Sequence, residues 1–185
     1  MSSSSTLLSL VLLVASSSVW GMARAGGGVV QLEMYMYEYA KVTVFDVLPP
    51  FVGANTQSTT FGIERMFDNE LRDGPYPSNS TIFGRFQGFM AFTGNAGLPG
   101  KNTMVTFVFT SGRYSGSTLV IAGIVQLIDG TIERAVVGGT GSFRMARGYS
   151  LISTVWSPTP NSTVFKVKLF VKLEEANLLM KMTDA

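Results

Sequence analysis

From Gln31 to Leu173, apolar and polar side chains alternate in short runs, and Gly, Pro or Asn closes nearly every run. Period-two alternation places one set of side chains on each face of an extended strand, so this rhythm specifies half-buried β-structure. No stretch in this region carries the three-to-four spacing of a long amphipathic helix. The pattern predicts strands near Gln31 to Tyr39, Thr59 to Asp68, Ser80 to Phe92, Thr103 to Thr110, Ser117 to Leu127, Thr131 to Val137, Phe143 to Val155 and Thr163 to Leu173. The intervening breaks, Leu48-Pro49-Pro50, Asp73-Gly74-Pro75-Tyr76-Pro77, Gly97-Leu98-Pro99-Gly100, Asp129-Gly130 and Pro158-Thr159-Pro160, consist of residues that fix or permit turn angles. Asp129-Gly130 between two apolar runs is a hairpin signal. Eight strands joined by short turns suit an all-β fold, an eight-stranded antiparallel up-and-down barrel, with a β-sandwich as the alternative that periodicity does not separate from it.

Composition narrows the chemistry. The 185 residues include no cysteine and no histidine, which removes disulfides, thiol catalysis, thiolate metal sites, histidine bases and the Ser-His-Asp triad together. Chemistry here rests on carboxylates, Arg, Tyr or hydroxyls, and no cofactor or metal is expected. A net charge of +2 from 14 basic and 12 acidic residues, scattered without a basic run, argues against nucleic-acid binding.

The apolar core Leu7 to Val14, the small residues after it and Ala23-Arg24-Ala25 form the pattern of a secretory leader, with cleavage expected after Ala25. Residues 1–25 are thus expected to be a signal peptide and 26–185 one mature domain, secreted and without a membrane anchor. Export gives meaning to two glycosylation acceptors, Asn79 and Asn161, each followed by Ser-Thr beside prolines in expected loops.

Gly138-Gly139-Thr140-Gly141 lacks the Lys-Ser/Thr ending of a phosphate-binding loop and reads as a tight strand connection. Arg144 and Arg147 are three apart in a strand-like run, so at most one faces a barrel interior. A charge facing such an interior needs a partner or a ligand, and Glu38 and Asp68, at the ends of the first two strands, are candidate acids for that purpose. Among the aromatic residues most are core, while tyrosines combine an aromatic wall with a hydroxyl suited to a phenolic ligand.

Residues Glu133 to Tyr149, with Val-Val-Gly-Gly-Thr-Gly-Ser-Phe-Arg-Met-Ala-Arg-Gly at their centre, closely resemble the signature of plant dirigent proteins. Phe61-Gly62, Asp68 with Leu71 and Gly74-Pro75, Gly84 to Phe89, Phe107 to Thr110 and Tyr114 to Leu119 extend the resemblance from about Leu32 to Val171. It implies an eight-stranded barrel related in shape to lipocalins and allene oxide cyclases, usually trimeric and exported to the apoplast. It further implies binding of phenoxy radicals made by a separate laccase or peroxidase and stereoselective coupling, with relatives that act on quinone methides. On this resemblance Glu38, Arg144 and Asp68 are candidate catalytic groups and Tyr114, Tyr37, Phe109 and Ser117 candidate substrate contacts. Where many dirigents have His-Asp in the first strand this chain has Tyr37-Glu38, and Asp68-Asn69 stands for an Asp-Asp pair.

Overall fold

The computed structural model describes residues 28–51, 53, 58–95 and 100–174; the expected leader lies outside them. Ten strands occur among these residues: β1 (Val29–Tyr39), β2 (Val44–Leu48), β3 (Glu64–Arg72), β4 (Ile82–Phe92), β5 (Lys101–Phe109), β6 (Thr118–Ile124), β7 (Leu127–Ile128), β8 (Thr131–Thr140), β9 (Arg147–Thr159) and β10 (Ser162–Lys172). They pair antiparallel in the order β1-β10-β9-β8-β6-β5-β4-β3, and β1 also pairs with β3, which closes an eight-stranded barrel. Closure excludes the sandwich alternative.

The closing seam is short: only Tyr35, Met36 and Tyr37 find partners, in Arg72, Leu71 and Glu70. Beyond it β3 turns to β2, whose Val44, Phe45 and Asp46 oppose Phe67, Met66 and Arg65. The sequence reading missed β2, because a five-residue segment ending at Pro49-Pro50 looks like a break. It also started the next strand too early, since residues 59–62 form a turn before β3. The Asp129-Gly130 hairpin is present, with φ of 48° and 76° at the two residues, the left-handed pair that a tight strand reversal needs.

Alternation sorts the side chains as expected. Val30, Leu32, Met34 and Met36 of β1, Phe107 and Phe109 of β5, Leu119 and Ile121 of β6, and Val167, Leu169 and Val171 of β10 fill the interior. One end of the barrel is plugged. Gly138 to Thr140 end β8, a 3₁₀ turn spans Gly141–Phe143, and both Phe143 and Ala146 are fully buried. Gly141 (φ 58°) lies where any Cβ would meet Ser117, and Ser142 N–H donates to Ser117 Oγ at 3.0 Å. A second 3₁₀ turn, Gly112–Tyr114, adds Tyr114, whose ring lies 4.8 Å from that of Phe143 and 5.9 Å from that of Phe109. The glycine-rich signature therefore builds a packed plug.

Opposite the plug the barrel is open to water. Phe67, Ile132 and Phe165 point inward yet are only partly buried, and the inward Thr154, cross-strand partner of Phe165, is exposed. Solvent reaching inward-facing positions of a closed barrel means an accessible mouth.

Candidate functional site

Polar side chains enter the interior on the open side, and each does so by the pleat of its strand. On β1 the even residues face inward, which brings Glu38 in after Met34 and Met36. On β3 the odd residues do, giving Arg65, Phe67, Asn69 and Leu71. On β8 the inward set is Ile132, Arg134 and Val136, and on β5 Thr103 lies above Val105 and Phe107.

Arg134 is the most consequential of these. It is 7% exposed, its Nη1 donates to Thr103 Oγ1 at 2.9 Å, and Thr103 passes its own proton to the Gly123 carbonyl at 3.1 Å. Its guanidinium carbon lies 5.9 Å from the centre of the Phe86 ring, a cation-π contact that partly replaces lost hydration. Nε has no hydrogen-bond partner among the described residues. The ion pairs found there, Arg65 with Asp46, Arg72 with Glu70, Arg85 with Asp68 and Lys166 with Glu33, leave Arg134 without a counter-ion. Desolvation alone brings its pKa down to about 10, so the cation persists at neutral pH in an unfavourable place. A buried, uncompensated guanidinium with an unspent donor suits an oxygen-bearing ligand, phenolate or carbonyl.

Glu38 is half-buried. Burial raises its pKa, while the Asn69 amide and the Arg65 charge hold the rise in check. Asn69 is fully buried beside Phe86 across the β3–β4 ladder. Its Oδ1 accepts from Thr43 Oγ1; its Nδ2 leans to Glu38 without completing a hydrogen bond of good geometry. Arg65 lies over Phe92, 5.4 Å from its ring centre, and pairs with Asp46. The open half of the barrel thus offers a weak acid, two cations and an aromatic wall of Phe67, Phe86 and Phe92, a set with the chemistry to stack an aromatic ring, meet an oxygen and donate a proton.

The residues expected from sequence divide between locations. Glu38 faces this interior. Tyr37, its neighbour, faces outward and is buried under the loop after β3, where its hydroxyl donates to the Gly74 carbonyl at 3.0 Å and Arg72 covers its ring. Asp68 also faces outward, exposed, accepting from Arg85 Nε at 2.8 Å and Gln87 Nε2 at 3.1 Å. Tyr114, Phe109 and Ser117 belong to the plug at the far end. Arg144 is exposed in the turn that follows Phe143, not in a strand, because β9 begins only at Arg147. The arginines that face inward are Arg134 and Arg65 instead. Asn79 lies in an exposed 3₁₀ turn, Pro77–Asn79, and Asn161 in the exposed β9–β10 turn.

The family model of dirigent-like proteins matches residues 29–172, the whole span of the barrel. This chain belongs to the dirigent-like family. Dirigent protein 1 of Arabidopsis thaliana is 39% identical to it over 100 residues, 54% of this chain and 53% of that protein. Pterocarpan synthase 1 of Glycyrrhiza echinata is 35% identical over 99 residues, 53% of this chain and 52% of that protein. The chain spans about half the length of the curated relatives it matches. The solved structure of the pterocarpan synthase dirigent protein GePTS1 superposes with a TM-score of 0.65 at 29% identity, covering 77% of this chain and 83% of that one. That of the pterocarpan synthase dirigent protein PsPTS1 gives 0.66 at 27% identity, with 78% and 95% covered.

Two inward placements in this dirigent-like barrel escaped the sequence reading although signals for them exist. Ile132-x-Arg134-x-Val136 places Arg134 on the apolar face of its strand by simple alternation. Asn69 shares a face with Phe67 and Leu71 in the same way.

Proposed function

We propose that this dirigent-like protein guides the stereochemistry of phenolic coupling: it binds phenoxy radicals of monolignol type, such as those of coniferyl alcohol, made by a separate laccase or peroxidase. Two radicals, each already short of one electron, form one carbon–carbon bond, so the barrel supplies orientation and no redox equivalents. The observation that carries the reading is Arg134, a buried cation without a counter-ion among the described residues and above an aromatic ring, which suits a phenolic oxygen. Selecting one enantiomer a hundredfold takes only about 2.7 kcal/mol between competing geometries. The test oxidises coniferyl alcohol with a laccase, with and without the purified protein, and follows the dimers by chiral chromatography. An excess of one enantiomer supports the proposal; racemic product across several monolignols refutes it.

A second reading is favoured by the half-buried Glu38, whose pKa is raised, and by the likeness to pterocarpan synthases. In it Glu38 donates a proton to a quinone methide or to an alcohol leaving group during ring closure. Product formed without any oxidant separates this from radical coupling.

The proposed setting is the plant apoplast after removal of residues 1–25, with glycans on the exposed Asn79 and Asn161. Self-association is proposed through the outer face of β2 to β5, where the exposed Phe45, Met66, Phe89 and Met104 stand opposite one another across the ladders.

A further inference from the structure

The loop between β1 and β2 folds back on the barrel so that Thr43 reaches Asn69. The Thr43 hydroxyl oxygen accepts the Tyr39 N–H at 3.0 Å. Its single proton goes to Asn69 Oδ1, the Tyr39 carbonyl being a distant 3.4 Å away. The loop itself is fastened, since Asp68 N–H donates to the Thr43 carbonyl at 2.8 Å and Thr43 N–H to the Tyr39 carbonyl at 2.8 Å. The Tyr39 carbonyl is too distant to take that proton well, so the Thr43 hydroxyl meets Asn69 as a donor. Asn69 must then present its oxygen to Thr43, which turns its NH₂ group to the side of Glu38. That NH₂ is fully buried and has no completed hydrogen bond among the described residues, although a buried amide donor ordinarily finds one.

We propose that Thr43 and Asn69 are positioning residues that hold an amide donor against the Glu38 carboxyl, so that the barrel works with one ionisable acid and directs the unspent N–H at the oxygen of a bound phenol or quinone methide. The proposal rests on the reading of Glu38 as the acid of the site. An aspartate at position 69 would give two carboxylates facing one another, which share a proton and titrate as a coupled pair. An asparagine turned the other way would oppose the ionised Glu38 with its carbonyl. The threonine disfavours the second arrangement, and the amide excludes the first.

The groups that act on Glu38 can be named. From β3 come Asn69 and Arg65, the latter paired with Asp46 of β2. β10 opposes it with Thr163, and Arg134 of β8 faces the same interior.

The test is a carbon-13 NMR titration of the Glu38 carboxyl in the purified full chain, assigned by loss of its signal in Glu38→Gln. Thr43→Val is expected to move the Glu38 midpoint to higher pH and Thr43→Ser to restore it, since serine keeps the donor. Asn69→Asp is expected to split the titration into two coupled steps, with one proton retained to higher pH. A Glu38 midpoint unmoved in Thr43→Val overturns the proposal, as does a single unshifted step in Asn69→Asp should the valine variant not fold. Because the signal is read without turnover, the expected titrations in a protein that imparts no stereoselectivity would uphold the Thr43–Asn69 assignment while refuting the function proposed above.

Discussion

Replacing Arg134 by methionine, a side chain of similar length without charge, should make this barrel more stable and leave it unable to select a product. Burial depresses the Arg134 pKa to about 10, and at about 1.4 kcal/mol per pH unit the native state bears roughly 3 kcal/mol for keeping the cation dry. Loss of the Thr103 hydrogen bond returns about 1 kcal/mol, so Arg134→Met should gain about 2 kcal/mol, in line with buried charges replaced by apolar groups elsewhere. For a domain of this size that is a rise of roughly 4–8 °C in Tm. The pH dependence follows from the sign. The folded pKa lies below the unfolded one, so the penalty is complete below about pH 10, where both states hold the proton, and relaxes at higher pH as the folded state releases it. Calorimetry at pH 7 and at pH 10.5 measures the gain and its decline, and the laccase-coupled assay on the same sample measures selectivity. A destabilisation of 2 kcal/mol or more on the order of a core truncation, or retained selectivity, would refute the idea that Arg134 is an uncompensated charge kept for a ligand. Arg134→Lys keeps the charge and loses the planar fork, and is expected to weaken selectivity without the gain in stability.

Other substitutions separate the two ends and two faces of the barrel. Glu38→Gln should remove a decline in stability that the parent shows as pH rises from the ordinary glutamate range through the raised Glu38 pKa, where the folded state retains a proton that the unfolded chain has lost; urea melts across that range measure it. Tyr37→Phe loses the bond to Gly74 and should cost about 1 kcal/mol in urea denaturation with selectivity unchanged, because Tyr37 is outside the barrel. Phe143→Ala should cost about 3–5 kcal/mol, as expected for a large truncation in a fully buried plug, read by the same melts. Met104→Lys, on the exposed outer row, should shift the sedimentation coefficient to that of a single chain if self-association uses this face; an unchanged oligomer would refute the assignment of the face.

The architecture was legible because alternation and turn residues are local. Strand existence, the Asp129-Gly130 hairpin and the core placement of most strand aromatics, Phe107 and Phe109 among them, follow from a period of two interrupted by turn residues. The closed barrel was favoured by an even number of strands joined by short turns and by the resemblance, while periodicity by itself left the sandwich open, since closure depends on three residues of β1 meeting three of β3, a non-local event. β2 was lost because a short strand before two prolines resembles a loop. The placement of the candidate side chains was legible only in part. Glu38 came out through its place in a strand, but Tyr37 and Asp68 were one residue out of phase, and in a sheet one residue is the difference between inside and outside. Arg144 was misplaced because the run Phe143 to Arg147 was taken as strand, whereas Gly141 and the left-handed Met145, at φ 59°, make it a turn. The resemblance drew attention to the longest motif, and that motif serves the plug. Arg134, inside the same stretch, lay in plain view of the alternation rule.

The position of a bound phenolic ligand is decisive. A crystal structure of the protein soaked with coniferyl alcohol tests it most directly. The prediction is a phenolic oxygen within hydrogen-bond distance of Arg134, the ring against Phe86, and Glu38 and Asn69 facing the side chain of the ligand. A ligand bound instead beside Tyr114 and Phe143, or on the outer face near Tyr37 and Asp68, would contradict it.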